Sequence, residues 1–291
     1  MLNRLTAQLA LPLTLALGTA AMADDHAGAS GYGLVNGGKT LAVMADLAKP
    51  TSIKTFDLAT PLAAIAYRPV TGDLLGYANG KVVTIDVASG KLTDLDATFV
   101  DDAKVVDGAK VGFDFNNKID AVRVVSSKGD NLVYFPVGFG KDDPKANSVR
   151  RFTGLAYEEG DANAGAMPMI FANAYTNAIN GKKAGGTFQY ALDAGTDALV
   201  SLANNAGTLN TIGKLSIGGK DANVTTMGGF DIISPSEGKD QAYAVLQLEG
   251  QDTAGLYGID LKTAEATLIS DFGLGGFEGF AASKANKKSG S

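Results

Sequence analysis

The 291 residues contain no cysteine and a single histidine, His26. Without cysteine there is no disulfide, no thiolate nucleophile and no sulfur-ligated metal site. His26 lies near the start of the chain, in a stretch expected to be flexible. That placement removes the Ser-His-Asp and Cys-His nucleophile systems and the ordinary zinc, copper and haem sites. Any catalysis would rest on carboxylates, tyrosine, lysine or an oxygen-ligated cation. Calcium is the one cofactor the composition leaves open.

Long apolar runs are also scarce, and the one near the start reads as an export signal. Arg4 supplies a positive beginning, Leu5 to Ala21 form an uncharged, mostly apolar stretch, and Ala21-Met22-Ala23 is a small-x-small cleavage site. The stretch is short of the roughly 20 apolar residues a membrane span needs. Pro12 and Gly18 suit a leader better than a spanning helix, and no later segment is apolar enough to cross a bilayer. Cleavage after Ala23 takes 23 of 291 residues and leaves 268, enough to bury a core without disulfides. Arg4 leaves and no acid leaves with it, so the net charge moves from −6 to −7. An acidic chain without a basic, aromatic-interleaved patch is a poor partner for nucleic acid. The expected location is periplasmic or secreted.

The helical period is nearly absent after residue 24, and short runs of Val, Ile, Tyr, Phe and Thr recur between Gly, Asn and Asp. Leu74 to Ala78 and Lys81 to Asp86 flank Asn79-Gly80, a pair that favours a type I′ hairpin. A small–apolar–small or acidic–apolar pattern occurs five times: Ala64 to Tyr67, Gly112 to Phe115, Gly154 to Tyr157, Gly229 to Ile232 and Gly279 to Ala282. Their starts are 48, 42, 75 and 50 residues apart. Each copy is expected to be the innermost strand of a four-stranded blade, where only small residues fit as blades converge. The last copy has no strands after it, and the first hairpin, Leu41 to Met44 with Ile53 to Leu58, has no inner strand before it. Joined, they complete one blade and remove the open edges. The fold expected is therefore all-β, a five-bladed β-propeller closed by pairing of its N- and C-terminal segments.

The expected boundaries are a signal peptide over 1–23, a flexible segment over 24–38, the propeller over 39–283 and a disordered tail over 284–291. The 75-residue step marks an enlarged fourth blade, with a Gly/Ala-rich loop from Glu158 to Pro168 and a longer polar stretch from Ala203 to Met227.

Several motifs resemble the bacterial domain of unknown function 4394. They are Gly112-Phe113-Asp114-Phe115-Asn116 followed by Asp120 to Ser126, then Gly160 to Gly165, Ala174 to Asn177 and Gly207 to Gly213. The resemblance runs in order over roughly Leu41 to Ala282. It implies an exported, propeller-like domain and brings no catalytic residues with it. Asn117 stands where a proline is expected and Ala121 where an arginine is expected, so no role of that arginine carries over.

Eleven residues are singled out for ligand contact. Asp114 and Asp231 hold the same place in two inner strands. They either face the channel and hold a cation or a polar ligand, or cap N–H groups of a neighbouring blade, the second being favoured because buried carboxylates must find donors. Asp161 and Asn163 imitate a calcium loop, but Gly165 comes one place early and Ala172 stands where glutamate belongs, so an Asx-turn is the better reading. Asn173, Tyr175, Thr176 and Asn177 form a polar run that pairs across strands or lines a pocket with Asp120, Arg123 and Asn131. Arg123 is expected to pair with Asp120 or Asp114, or else to bind an anion. Asn116 belongs to the inner-strand motif beside them. Tyr67, Phe115 and Tyr157 read as core between blades.

The functional reading is a non-enzymatic binding module for an unidentified protein or small molecule. One alternative is a carboxylate-based hydrolase or lactonase, with calcium as its cation and Asp114, Glu158, Asp161 and Asp231 as its acids. Another is a structural component of the envelope or matrix.

Overall fold

The computed structural model describes residues 28–284. Strands form five sheets about one axis, each written here from the inside out. Blade 1 is Gly279–Lys284, Ala29–Val35, Thr40–Met44 and Ile53–Asp57. Blade 2 is Ala64–Tyr67, Leu74–Ala78, Lys81–Ile85 and Leu92–Asp94. Blade 3 is Val111–Asn116, Ala121–Ser126, Asn131–Phe135 and Ser148–Arg151, with Thr98–Phe99 added outside. Blade 4 is Ile170–Tyr175, Gln189–Asp193, Ala198–Leu202 and Thr208–Lys214, with Ala156–Tyr157 outermost. Blade 5 is Val224–Ser236, Lys239–Leu248, Ala254–Ile259 and Ala266–Asp271.

The ring closes through its ends, as the sequence indicates, but the last strand pairs with Ala29–Val35 and not directly with the hairpin at Leu41 to Met44, which lies one strand further out. Gly279–Lys284 lies antiparallel to Ala29–Val35, with Leu34 opposite Gly279 and Ala29 opposite Lys284. Small residues mark the places where inner strands touch. A Cβ on Gly229 would lie 2.3 Å from the Phe280 backbone nitrogen, and one on Gly112 would lie 2.9 Å from the Ala172 backbone. Alternate side chains on each inner strand face the two neighbouring blades, so each interface has its own apolar cluster. Phe113 and Phe115 pack with Tyr77 and Val82 between blades 2 and 3, and Phe230 with Phe171 and Leu199 between blades 4 and 5. Each such side chain contributes roughly 1.5–3 kcal/mol on burial.

Four expectations need correction. The segment over 24–38 is not a flexible leader where it is described, because Ala29–Val35 is a full strand of blade 1. Its glycines suggest mobility in sequence, but Gly31 and Gly33 are close-approach positions. A Cβ on either would come within 2.6 Å of Leu47 or Phe277. The inner strand of blade 4 is Ile170–Tyr175, not Gly154 to Tyr157, whose Ala156–Tyr157 runs parallel to Thr208–Lys214 at the outer edge. Asn173 hides the true copy, since it occupies the place held by Ile65, Phe113, Phe230 and Phe280 elsewhere. Starting that copy at Ala172 replaces the uneven 42- and 75-residue steps by 60 and 57. The third change concerns Asn79-Gly80: the hairpin forms, but only Gly80 has positive φ, so the turn is not type I′. Asn79 instead donates its amide to the Val105 carbonyl and to Asp107. Finally, Lys284 ends the blade-closing strand rather than beginning a tail, and the signal peptide and the remaining tail residues lie outside the described residues.

Both mouths of the axis are covered. Where the inner strands begin, Lys110 of blade 3 reaches Glu278 of blade 1 at 2.5 Å. Where they finish, residues 176–188 arch across the opening and bond to all four other blades. Gly181 N–H donates to Pro69 of blade 2, and Ala184 N–H to Asn117 of blade 3. Asn177 N–H donates to Asp240 of blade 5, and the Asn180 amide to the Lys284 carbonyl of blade 1.

Candidate functional site

Strand alternation that sends Phe113 and Phe115 toward blade 2 sends Gly112, Asp114 and Asn116 toward blade 4. Arg123 stands opposite Asp114 on the next strand, and so faces the same way. Asn131 begins the third strand of that blade. Tyr175 comes from the end of the inner strand of blade 4, and Asn204 and Asn205 from a 3-10 turn of three residues beyond its third strand. The result is a cluster of polar side chains along the seam between blades 3 and 4.

Arg123 is its centre and is 3% exposed. Its Nη1 donates to Asn131 Oδ1 at 2.7 Å, its Nη2 to Asn205 Oδ1 at 2.8 Å, and its Nε to the Tyr175 hydroxyl at 3.4 Å. The Phe152 ring lies 5.6 Å away. Three of the five N–H groups of the guanidinium are thereby engaged, all by neutral oxygens. No carboxylate forms an ion pair with it among the described residues, which corrects the expected pairing with Asp120 or Asp114. Asp120 is held by Arg68 instead, through two bonds of 2.8 and 2.5 Å that tie blade 2 to blade 3. Asp114 accepts the Tyr175 N–H at 2.7 Å. A buried cation without a counter-charge is costly, so its retention calls for a reason.

The neighbours of Arg123 are fixed in their turn. Asn131 donates to the Thr153 and Asn204 carbonyls, both at 2.9 Å. The Tyr175 hydroxyl donates to Asn204 Oδ1 at 2.8 Å. Burial pushes the Tyr175 phenol up to about 12, with Arg123 pulling the other way, so it stays neutral. Asn116 also reaches Asn204 and receives a bond from Thr187, at the end of the arching loop. Gln189, opposite Tyr175 across the blade 4 hairpin, is 2% exposed, and neither atom of its amide has a partner among the described residues. Asn173, 1% exposed, is in the same condition.

Asp114 and Asp231 perform the capping role. Asp231 accepts the N–H groups of Ile232 and, from blade 1, of Ala282, each at 2.6 Å. Burial raises Asp231 to about 7. Burial, and then the charge of Asp231, push Asp114 well above the usual carboxylate range. Next to them a void of about 10 Å³ on the axis, lined by Asn173, Gly112, Gly229 and Gly279, has room for about one water.

The remaining candidates lie apart from the seam. Asp161 accepts from Thr211 N–H and hydroxyl, both at 2.7 Å, and from Asn163 N–H at 2.8 Å, forming the expected Asx-turn. Asn177 fastens the arching loop to Gly186, Gly238 and Asp240. Glu158 is exposed. No group of three or more metal-ligating side chains occurs among the described residues. Of the core aromatics, Phe115 is fully enclosed, Tyr157 lies in the outer part of blade 4 bonded to Asp193, and Tyr67 stacks on Tyr32. Sequence reasoning missed Gln189, Asn204 and Asn205. Gln189 alone carried a signal, as a polar residue in phase with Ala191 on a strand with a buried face.

The profile of a family described as a domain of unknown function, DUF4394, matches residues 40–281. The chain belongs to the DUF4394 family. No curated protein matches it. Among solved structures, the DUF4394 chain is similar to a protein of unknown function from Bacteroides caccae. That likeness has 10% identity and a TM-score of 0.42, and covers 88% of this chain and 99% of that one. It is also similar to an auxiliary nutrient binding protein from Bacteroides ovatus. There the identity is 12% and the TM-score 0.41, with 73% of this chain and 55% of that one covered.

Proposed function

We propose that the mature chain is an exported, non-enzymatic binding module whose ligand site is the polar seam between blades 3 and 4. The observation that carries this reading is Arg123, a guanidinium almost wholly enclosed and held in place by Asn131 and Tyr175 without a carboxylate. Stability alone would favour an apolar side chain there or a paired one, as Arg68 is paired with Asp120 between blades 2 and 3. The leader pattern over residues 1–23 supports export to the periplasm or beyond the cell. A small polar molecule suits the site better than a macromolecule, because the groups lie between blades rather than on an open face.

The same geometry weighs against the hydrolytic alternative. Asp114 and Asp231 are closed in beneath the arching loop and bonded to backbone N–H groups, and Asp161 is bound to Thr211. A glycosidase-like mechanism needs two carboxyls facing an open cleft.

The test is a thermal-shift screen of small polar compounds against residues 24–291. At about 100 times Kd a ligand adds about 2.7 kcal/mol, roughly 5–10 °C for a domain of this size. The shift should shrink in Tyr175→Phe, which loses the hydroxyl that positions Arg123. Compounds that shift both proteins equally would place binding elsewhere and overturn the assignment.

A further inference from the structure

We propose that the seam is an anion site: Arg123 receives the carboxylate of a small molecule, whose oxygens replace the Asn205 side-chain amide. This rests on the seam being the ligand site and adds the chemical class of the ligand.

The partners of Arg123 divide into fixed and removable ones. Asn131 is fully enclosed and is itself anchored by two carbonyls, and Tyr175 is fully enclosed and anchored by Asn204. Asn205 is different. It is an exposed residue on a turn of three residues, and among the described residues its side-chain bond to the seam is the one it accepts from Arg123 Nη2. The preceding residue, Asn204, sits at φ 36°, a left-handed conformation that asparagine adopts more readily than most side chains. The amide oxygen of Asn205 therefore stands where a carboxylate oxygen would stand, on the solvent side of a fork whose other side is built in.

The charge pattern points to the same class. Of the other described arginines, the partly enclosed Arg68 and the exposed Arg151 each have an aspartate, namely Asp120 and Asp130, while Arg150, nearer the surface than Arg123, bonds to Ser148 and the Pro144 carbonyl. Arg123 has none, although Asp114 is its cross-strand neighbour. Asp114 is turned to the Tyr175 N–H, and burial with the Asp231 charge favours its neutral form. A single guanidinium with two spare N–H groups matches one planar carboxylate, two parallel bonds and one charge. A phosphate would bring more charge than one arginine balances, into a chain that is already acidic. The ligand body would lie against the partly buried Phe152, the ring beside Arg123, which favours an apolar or aromatic acid; the rings of Phe135 and Phe139 are already taken by Lys145 Nζ, at 5.5 and 5.6 Å.

The experiment uses benzoate and its neutral counterpart benzamide, titrated into residues 24–291 by calorimetry and followed by thermal shift. Benzoate should bind at least tenfold more tightly than benzamide, and Arg123→Gln should abolish the difference. Asn205→Ala, which removes the competing oxygen, should tighten benzoate several-fold. Asn205→Asp supplies a tethered carboxylate at an exposed position and serves even if Arg123→Gln fails to fold. It should raise the melting temperature and eliminate benzoate binding. Equal binding of benzoate and benzamide, both lost in Tyr175→Phe, would overturn the anion proposal and leave the seam as a neutral-ligand site. Benzoate binding untouched by Asn205→Asp would overturn the anion site and the seam assignment together. No benzoate binding at about 50 mM, the weakest affinity worth calling a site, would overturn the anion proposal.

Discussion

Replacing Asp231 with asparagine separates the structural work of the channel carboxylates from their charge. Asp231 is enclosed, and burial moves its pKa from 3.8 to about 7. The folded state thus holds the proton more tightly than the unfolded chain does. The contribution is fully present below about pH 4 and is lost as pH rises through 7. At about 1.4 kcal/mol per pH unit, the loss between those limits is about 4 kcal/mol, or roughly 8–16 °C in melting temperature. An asparagine in its place cannot ionise, but its amide can accept only one of the N–H groups of Ile232 and Ala282 well, a constant penalty of about 1–3 kcal/mol. Urea unfolding of both proteins from about pH 4.5 to pH 8.5, a range that brackets the raised carboxyl, should therefore give curves that cross. The variant should be weaker in acid and equal or stronger at the alkaline end, with a shallower slope. The slope that remains belongs to Asp114, which keeps its burial after losing the charge of Asp231. Parallel curves, or a wild type whose stability rises across the same range, would refute the reasoning.

Three further substitutions probe the ring. Gly229→Ala puts a Cβ against the Phe280 backbone and should cost about 1–3 kcal/mol by urea unfolding. Asn173→Leu restores the apolar residue the other inner strands carry and removes an amide without partners, so it should stabilise by roughly 1–3 kcal/mol in the same assay. Asp120→Ala strands the partly enclosed Arg68 and should cost about 3 kcal/mol, with Asp120→Glu recovering part of it.

The fold was legible because propeller geometry demands small residues at the axis, and glycine at 112, 229 and 279 advertises that demand. The blade 4 copy was not, because Asn173 breaks the pattern while Gly154 to Tyr157 counterfeits it. The strand at Ala29–Val35 was hidden by glycines whose purpose is contact with Leu47 and Phe277, which only packing reveals. Around the site, the alternation of Asp114, Arg123 and Asn131 could be read from one blade. Its other half could not, since Asn204 and Asn205 sit on a short turn far along the chain, with no periodic signal. The partner of Asp120 was equally remote: Arg68 belongs to the preceding blade.

A crystal of residues 24–291 grown with 4-bromobenzoate would test the central assignment most directly, because bromine is located by its anomalous signal. The expected result is a bromine peak near Phe152, the carboxylate on Arg123, and the Asn205 side chain turned outward. Bromine found only at other places, with Asn205 still bonded to Arg123, would contradict it.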